Sequence, residues 1–179
     1  MNRWMRVVLC GVVLVLIAGQ SEAQVEIRAG GGLLLNPSRW GGHVSIDIPI
    51  GDTHPTYLSP FVEFYRQSST FESVNAIPIG LNLLYKAPFS QEYGMVYFGV
   101  GGGLYRVSGT LNGIDFSGNP ITLKDSSTQG MFTAGGGLQL DFSDALGAFV
   151  QTRWIRAFAS GSKNELSLMA GLSFKLGEE

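Results

Sequence analysis

The sequence of 179 residues predicts an all-β protein, in which eight antiparallel strands close into an up-and-down transmembrane β-barrel. Three observations predict this fold class. Eight segments alternate apolar and polar residues with the period of a β-strand. The apolar face of these segments is long, whereas the opposite face is rich in glycine and charge. Aromatic residues gather toward both ends of the segments, as in the aromatic girdles of membrane barrels.

The first 23 residues predict a signal peptide instead of a strand. Two arginines precede an apolar run at residues 7–18, and the small residues Ser21 and Ala23 frame a cleavage site. An apolar run of this length is shorter than the ~20 residues that a spanning helix needs. We therefore expect cleavage before Gln24, export out of the cytoplasm, and a barrel domain over residues 24–179.

The strand-period segments follow one another without a linker or a change of composition, so a single domain is expected. They lie at residues 25–29, 44–50, 58–64, 77–83, 96–100, 132–142, 148–154 and 166–176. Turn residues lie between them, at 36–39, 51–55, 68–72, 88–93, 143–144 and 161–164. The fifth connection, 108–129, is long and rich in Gly, Asn, Asp and Ser, which predicts an extracellular loop.

The apolar face of the strands is expected to point toward lipid. In the last segment six consecutive same-face positions are apolar, from Leu166 to Leu176, and a tilted membrane strand needs ~9–11 residues. The other face carries many glycines, which a solvent-facing sheet would seldom do because glycine weakens strands. The aromatic residues predict two girdles, with Trp40, Phe64, Tyr65, Tyr105, Trp154 and Phe158 at one rim and Tyr57, Tyr85, Tyr93, Phe142 and Phe174 at the other.

The polar face predicts a charged lumen. Its candidate network consists of Glu26, Arg28, His43, Asp47, Glu63, Asp141, Arg153 and Lys175. An eight-stranded barrel is just wide enough to be filled by its own side chains. Isolated buried charges are costly, so these groups are expected to pair or to hold water.

Hairpin register predicts three pairs in this network. The first turn is expected to centre between residues 37 and 38, the second on residue 53, and the last strand is expected to close on the first. The resulting pairs are Arg28 with Asp47, His43 with Glu63, and Lys175 with Glu26. They favour a plug that fixes register and blocks the pore, with a proton or ion path as the alternative.

Over essentially residues 24–176 the pattern resembles the small eight-stranded outer-membrane β-barrel family, the OmpA-type transmembrane domain and its porin-like relatives. Residues 171–176 resemble the C-terminal signal that the barrel-assembly machinery reads, with Gly171 followed by alternating apolar residues that include Phe174 and Leu176. The resemblance implies location in the outer membrane of a Gram-negative type of cell. Its implied partners are outer-membrane lipid and, during biogenesis, the assembly machinery, and a monomer is expected.

Composition argues against a nucleic-acid partner. The 12 Lys and Arg residues do not exceed the 14 Asp and Glu residues, and the formal net charge is −2. The sequence contains no basic run that would track a phosphate backbone. No cofactor and no metal site are expected either.

One constellation suggests chemistry. His43 and Ser45 share a strand face with Glu63 nearby, a set of residue types that resembles a hydrolase triad. Outer-membrane lipid A deacylases use such a set facing lipid, whereas these residues are expected in the lumen, which a lipid substrate would hardly reach. We therefore expect no enzyme, but a structural barrel or very narrow pore with a largely filled lumen. A lipid-modifying enzyme and a secreted lipocalin-like binder of apolar ligands remain the alternatives.

Overall fold

The computed structural model describes residues 24–50, 55–69, 72–90, 94–114, 120–158 and 163–176, and the expected leader at 1–23 lies outside them. Eight strands form a closed barrel in sequence order, each antiparallel to its neighbours, and the last strand pairs with the first. The strands are β1 (Val25–Leu35), β2 (Arg39–Pro49), β3 (Thr56–Ser68), β4 (Glu72–Ser90), β5 (Gly94–Ile114), β6 (Pro120–Asp141), β7 (Leu146–Ala157) and β8 (Lys163–Leu176). The predicted fold class is confirmed.

The alternation of the sequence becomes an alternation of faces. In β7 the side chains of Phe149, Gln151 and Arg153 are buried, whereas Val150 and Thr152 between them are exposed. Successive side chains of a strand point to opposite sides, so closure turns one set into a core and the other into the outer wall. Among the described residues no helix is long and apolar enough to cross a membrane.

The short connections lie at both ends of the barrel. Asn36–Ser38 forms the turn between β1 and β2, and Asn36 adopts a φ of 63°, a left-handed conformation that asparagine tolerates. The predicted turn at 143–144 falls within a bend over residues 142–145. β4 continues to Ser90, past the start of the turn predicted at 88–93. The turns predicted at 51–55 and 161–164 lie mostly outside the described residues.

The prediction of a long loop at 108–129 is wrong. β5 and β6 remain paired from the barrel up to Ile114 and Pro120. We call residues 108–114 and 120–129 the β5–β6 ribbon. β7 reaches β6 only as far as Met131, whereas β4 stays paired with β5 as far as Leu111. The ribbon therefore extends beyond β7 on one side, and beyond β4 from Asn112 onward on the other. The Gly, Asn and Ser content of the ribbon predicts turns. The hydrogen bonds between β5 and β6 nevertheless satisfy its backbone groups, while most of its described side chains stay exposed.

Glycine allows the strands to approach closely where β8 closes on β1. Gly30 and Gly171 are direct partners across this seam. A Cβ atom on Gly30 would lie 2.3 Å from the carbonyl oxygen of Ala170, and one on Gly171 would lie 2.1 Å from that of Ala29. Glycine on the inner face therefore allows a tight seam, which explains its abundance there.

The aromatic residues divide between the outer wall and the interior. Trp40, Phe64, Tyr85, Phe142, Phe158 and Phe174 are exposed, and Trp40 is the most exposed of them at 74%. The girdle prediction is wrong for Tyr57, Tyr65 and Tyr105, because these residues lie on the inward-facing positions of their strands. Tyr65 and Tyr105 are 0% and 1% exposed. Tyr93 lies outside the described residues.

Candidate functional site

The interior of the barrel is the candidate site because it holds charged side chains of both signs. Five carboxylates face five cationic groups among the described residues. The carboxylates are Glu26, Asp47, Glu63, Asp141 and Glu165, and the cations are Arg28, Arg39, Lys86, Arg153 and Lys175. All eight residues of the candidate network face inward. Arg39, Lys86 and Glu165 join them and complete the balance of charge.

Asp47 is the centre of a first group, the Asp47 cluster, which comprises Glu26, Arg28, Asp47, Ser59 and Lys86. Arg28 approaches the Asp47 carboxylate with Nε at 2.9 Å and Nη2 at 3.0 Å. Lys86 Nζ lies 2.8 Å from Asp47 Oδ2, and Ser59 donates a hydrogen bond of 2.6 Å to Oδ1. Asp47 and Arg28 are 0% exposed. Two cations thus neutralise this carboxylate in a region without bulk solvent.

Lys86 links the Asp47 cluster across the lumen. Its ammonium also lies 2.5 Å from Glu26 Oε2, and it sits over the ring of Tyr57 at 4.6 Å from the centroid. The signal for Lys86 was present in the sequence. Continuing the alternation of segment 77–83 by three further residues places position 86 on the same inward face as Asn82 and Leu84.

Arg28 is held on its other side by neutral groups. Its guanidinium carbon lies 4.6 Å from the ring centroid of Tyr97 and 5.6 Å from that of Phe149. Nη1 donates a 3.4 Å hydrogen bond to Gln151 Oε1, which also accepts one of 3.2 Å from the hydroxyl of Tyr97. Aromatic faces and an amide thus surround the part of this cation that Asp47 leaves free.

Glu63 is the centre of a second group, the Glu63 cluster, which comprises His43, Ser45, Glu63, Tyr65 and Arg153. Arg153 forms an ion pair with Glu63 Oε1, and the hydroxyl of Tyr65 donates a 2.9 Å hydrogen bond to Oε2. His43 Nδ1 lies 3.2 Å from Glu63 Oε1, and its Nε2 lies 3.1 Å from Ser45 Oγ. Every oxygen of this buried carboxylate therefore has a partner.

The register of the first hairpin differs from the expected one. Glu26 is the cross-strand partner of Asp47, whereas Arg28 faces Ser45, so the turn centres one residue earlier than predicted. Arg28 nevertheless contacts Asp47 on the diagonal. His43 and Glu63 are direct cross-strand partners.

The closing seam sets the third predicted pair. Lys175 and Glu26 are cross-strand partners. The ammonium of Lys175 instead lies 2.8 Å from Asp141 Oδ2, near the mouth at which β1 begins and β8 ends. Glu26 takes Lys86 as its partner. Lys175 and Glu26 are therefore cross-strand neighbours, but each of them forms its ion pair with a different residue.

Apolar side chains close the lumen toward the opposite end. This apolar plug consists of Leu34, Phe61, Tyr65, Ala76, Tyr105, Met131, Ile155, Ala157 and Met169. Beside it the hydroxyl of Tyr105 donates to Glu165, and Arg39 lies 3.7 Å from the same carboxylate. A cavity of about 10 Å³ lies between Asn82, Thr133 and Gln151, about the space of one water molecule. Side chains thus fill the interior among the described residues.

The described residues contain one set with catalytic geometry and no metal cluster. The contacts from Ser45 to His43 to Glu63 have the order of a nucleophile, a base and an orienting carboxylate. All three residues are at most 2% exposed, so no substrate reaches the hydroxyl in this arrangement. No three His, Cys, Asp or Glu residues in the described part of the chain lie close enough to hold a metal ion.

Comparison with solved structures assigns the architecture. The chain has the fold of the small eight-stranded outer-membrane β-barrels. Neisserial surface protein A matches with a TM-score of 0.60 and 14% identity, over 87% of this chain and 98% of that one. The outer membrane protein OprG of Pseudomonas aeruginosa matches with a TM-score of 0.57 and 12% identity, over 90% of this chain and 99% of that one.

A barrel designed de novo also shares this outer-membrane barrel fold, with a TM-score of 0.51 and 14% identity over 88% of this chain and 98% of that one. No family profile matches the sequence, and no curated protein matches it. A designed protein has the same architecture without a biological history. The likeness therefore describes the fold, and the function must be argued from the residues.

Proposed function

We propose that this protein is an integral outer-membrane β-barrel with a structural role, whose lumen its own charged and apolar side chains fill. In this proposal the leader at 1–23 is cleaved, and the barrel reaches the outer membrane of a Gram-negative type of cell. The barrel-assembly machinery inserts it there with the help of Gly171, Phe174 and Leu176 on β8. The single observation that carries the proposal is the inversion of polarity, with paired charges inside and apolar residues outside.

The outer wall supports the membrane location. Leu81 and Leu83 on β4, Val100 on β5, and Leu168 and Leu172 on β8 are 44–53% exposed. Such a continuous apolar surface in water would be an aggregation hazard for a soluble protein. A secreted lipocalin-like binder would need these residues inside, around an apolar ligand. The interior instead holds the Asp47 and Glu63 clusters, which argues against that alternative.

The filled lumen supports a structural role over a pore. A porin conducts because its lumen is wide and wet, whereas eight strands leave room only for side chains. The Asp47 cluster lies toward the end of the barrel at which β1 begins, the Glu63 cluster lies further in, and the apolar plug follows toward the other end. Five carboxylates balance five cations, so the interior offers no excess charge to attract an ion. The barrel would instead hold the β5–β6 ribbon above the outer surface.

Orientation follows from connection length. The start of β1, the end of β8 and the short bend at 142–145 lie at one end of the barrel, and the ribbon extends from the other. Outer-membrane barrels have short periplasmic turns and long extracellular segments. The end of the barrel that bears the ribbon is therefore assigned to the cell exterior.

Two measurements test the proposal in sequence. Cell fractions are first separated by gel electrophoresis with and without boiling, and detergent-dependent extraction with a heat-dependent mobility shift is expected. Recovery in a soluble fraction without a shift contradicts the membrane location. The purified barrel is then added to planar bilayers, where no stepwise conductance is expected. Regular channel openings would instead assign the protein as a narrow pore.

The contacts between Ser45, His43 and Glu63 raise hydrolysis as a second candidate function. An activated serine reacts with a fluorophosphonate probe, so the folded barrel is incubated with this reagent in detergent micelles. No labelling is expected because Ser45 is 2% exposed. Labelling that is lost in Ser45→Ala, in a barrel that keeps its heat-dependent shift, would establish the enzyme and contradict the structural role.

A further inference from the structure

The two faces of the strands exchange their polarity where the β5–β6 ribbon begins. In the barrel wall the outward-facing positions of β5 are largely apolar, as at Phe98, Val100 and Leu104. On the ribbon and the adjoining end of β4, polar side chains occupy these positions. They include Ser73 and Asn75 on β4, Thr110 and Asn112 on β5, and Thr122 and Lys124 on β6. The exposed leucines of the ribbon lie on the opposite face.

We call this opposite face the inner ribbon face, because it continues the lumen side of the barrel. It comprises Glu72 on β4, Gly109 and Leu111 on β5, and Ile121, Leu123 and Asp125 on β6. Glu72, Leu111 and Leu123 form one cross-strand row. Gly109 and Asp125 belong to the next row. Val107 shares the face of Gly109, because alternate residues of a strand point to the same side, and it packs against the apolar plug. The inner ribbon face therefore begins beside the plug and leads away from it.

Three apolar side chains of the inner ribbon face are open to solvent. Leu111, Ile121 and Leu123 are 49%, 39% and 60% exposed. Because they continue the lumen side of the sheet, they do not belong to the outer wall that faces lipid in the proposed membrane location. Contiguous apolar surface that is exposed in this way marks an interaction site.

Two carboxylates border this apolar surface. A groove of about 270 Å³ is lined by Glu72, Leu111, Leu123 and Asp125, together with Gly109. The side chains of Glu72 and Asp125 are exposed. A Cβ atom on Gly109 would meet nothing within 4 Å. The groove is therefore open at its centre, with one carboxylate on each side.

No cation of the proposed mature chain neutralises these two carboxylates. Every Lys and Arg after residue 23 lies within the described residues, and none of them forms an ion pair with Glu72 or Asp125. Lys124 also borders the groove, but it belongs to the opposite face, where its cross-strand partner is Thr110. The inner ribbon face thus combines exposed apolar surface with uncompensated negative charge.

We propose that the inner ribbon face docks a cationic amphipathic helix of a partner peptide. Its apolar stripe would pack on Leu111 and Leu123, and its flanking cations would contact Glu72 on one side and Asp125 on the other. These two carboxylates are two strands apart, which amounts to about 10 Å. A helix with its side chains is about 10–12 Å wide, so the cations at the two borders of its apolar stripe match this spacing. Amphipathic helices bind other apolar grooves in the same way.

The charge of the face favours this occupant over two others. An anionic lipid headgroup would be repelled by Glu72 and Asp125. A second copy of this chain would bring the same two carboxylates and no cation, and like charges that face each other are destabilising. The inference goes beyond the proposed structural role. It rests on the proposed orientation, which leaves the inner ribbon face open to the cell exterior.

Peptides of defined composition test the proposal. The probe is a fluorescein-labelled peptide of leucine and lysine that forms about four turns of amphipathic helix. Its binding to the folded barrel in nonionic detergent is measured by fluorescence anisotropy, and micelles without protein give the baseline. One control peptide replaces every lysine with glutamate, and another replaces every leucine with serine. The leucine–lysine peptide should bind at least about tenfold more tightly than either control.

Matched variants locate the binding surface. Glu72→Gln/Asp125→Asn removes both charges at nearly constant size and should weaken binding of the leucine–lysine peptide about tenfold. Leu111→Ser/Leu123→Ser should weaken it by about the same factor. Asp144→Asn removes an exposed carboxylate from the bend at the other end of the barrel and should leave the affinity unchanged. Raising NaCl to about 1 M, where the Debye length is about 3 Å, should weaken binding to the unmodified barrel.

Three outcomes overturn the proposal. The first is equal affinity for the leucine–lysine and leucine–glutamate peptides, and the second is full affinity in Glu72→Gln/Asp125→Asn. The third comes from sedimentation of the unmodified barrel without peptide. A dimer that becomes a monomer in Leu111→Ser/Leu123→Ser would assign the inner ribbon face to a second copy of the chain.

The heat-dependent mobility shift is recorded for every sample. A barrel that shows the shift but does not bind the leucine–lysine peptide contradicts the inner ribbon face as a docking surface alone. A chain that lacks the shift and is recovered in a soluble fraction contradicts the proposed function instead. The two failures are therefore distinguishable.

Discussion

Removing the charge of Asp47 tests whether ion pairing holds the interior together. The substitution Asp47→Asn keeps the size of the side chain and one acceptor oxygen. Among the described residues it removes the only carboxylate in contact with Arg28, which is 0% exposed and otherwise contacts Gln151, Tyr97 and Phe149. Lys86 retains Glu26 as a partner. The substitution therefore leaves one buried cation without an anion.

The expected cost follows from this count. Breaking a buried ion pair by removing one partner costs about 3–5 kcal/mol, and one such pair is fully broken here. The same substitution at Asp141 is the matched control. The side chains of Asp141 and Lys175 are 14% and 20% exposed, so water reaches the pair. Asp141→Asn should cost about 1 kcal/mol or less. The double variant Asp47→Asn/Arg28→Met should recover much of the loss, since it removes the orphaned cation.

The assay is equilibrium unfolding in urea with phosphatidylcholine vesicles, followed by tryptophan fluorescence and by the heat-dependent mobility shift. Free energies of unfolding are compared for the four proteins. If Asp47→Asn and Asp141→Asn lower the free energy of unfolding by the same amount, burial does not determine how much these ion pairs stabilise the barrel, and the reasoning is refuted. The same holds if the double variant is less stable than Asp47→Asn alone.

Three further predictions use β5 and its ribbon. Gly103→Ala should destabilise the barrel by about 1–3 kcal/mol, because its Cβ would lie 2.1 Å from a β4 carbonyl oxygen, whereas Gly109→Ala meets nothing within 4 Å and should be neutral in urea unfolding. Val100→Arg on the lipid-facing wall should cost up to about 2–4 kcal/mol, and Leu111→Arg on the ribbon should leave the unfolding midpoint nearly unchanged. Replacing residues 112–122 by a two-residue turn leaves every β4–β5 pair in place and should preserve the mobility shift and vesicle insertion. A barrel that fails to fold without this segment would contradict the independence of ribbon and wall.

Strand number, strand faces and neighbour pairs were accessible to sequence reasoning because they depend on local pattern. Alternation sets which side chains share a face, and turn position sets the partner in the next strand. His43 and Glu63 lie opposite each other for this reason. Arg28 lies opposite Ser45 instead of Asp47, because the turn at Asn36 centres one residue earlier than predicted.

Contacts across the lumen were not accessible in the same way. Lys86 on β4 meets Glu26 on β1, and Arg153 on β7 meets Glu63 on β3. Which residues meet across a barrel depends on the tilt and stagger of all its strands, and no local pattern contains that quantity. Tyr65 shows a related limit. Aromatic residues near strand ends suit a girdle, but Tyr65 belongs to the alternate positions of β3 that face the interior.

The two charge distributions of the barrel follow from two different solvents. Inside, side chains exclude water, so an unmatched charge would bear most of its desolvation cost, and the five carboxylates and five cations balance. Outside, Arg66, Arg106 and Arg156 stand on outward-facing positions of the described barrel wall, where no acid lies. Pairing within the protein is not required there, because these three side chains are exposed and their charge can be solvated. The cost of removing a charge from solvent thus explains both distributions: buried charges need partners in the interior, and exposed cations on the outer wall do not.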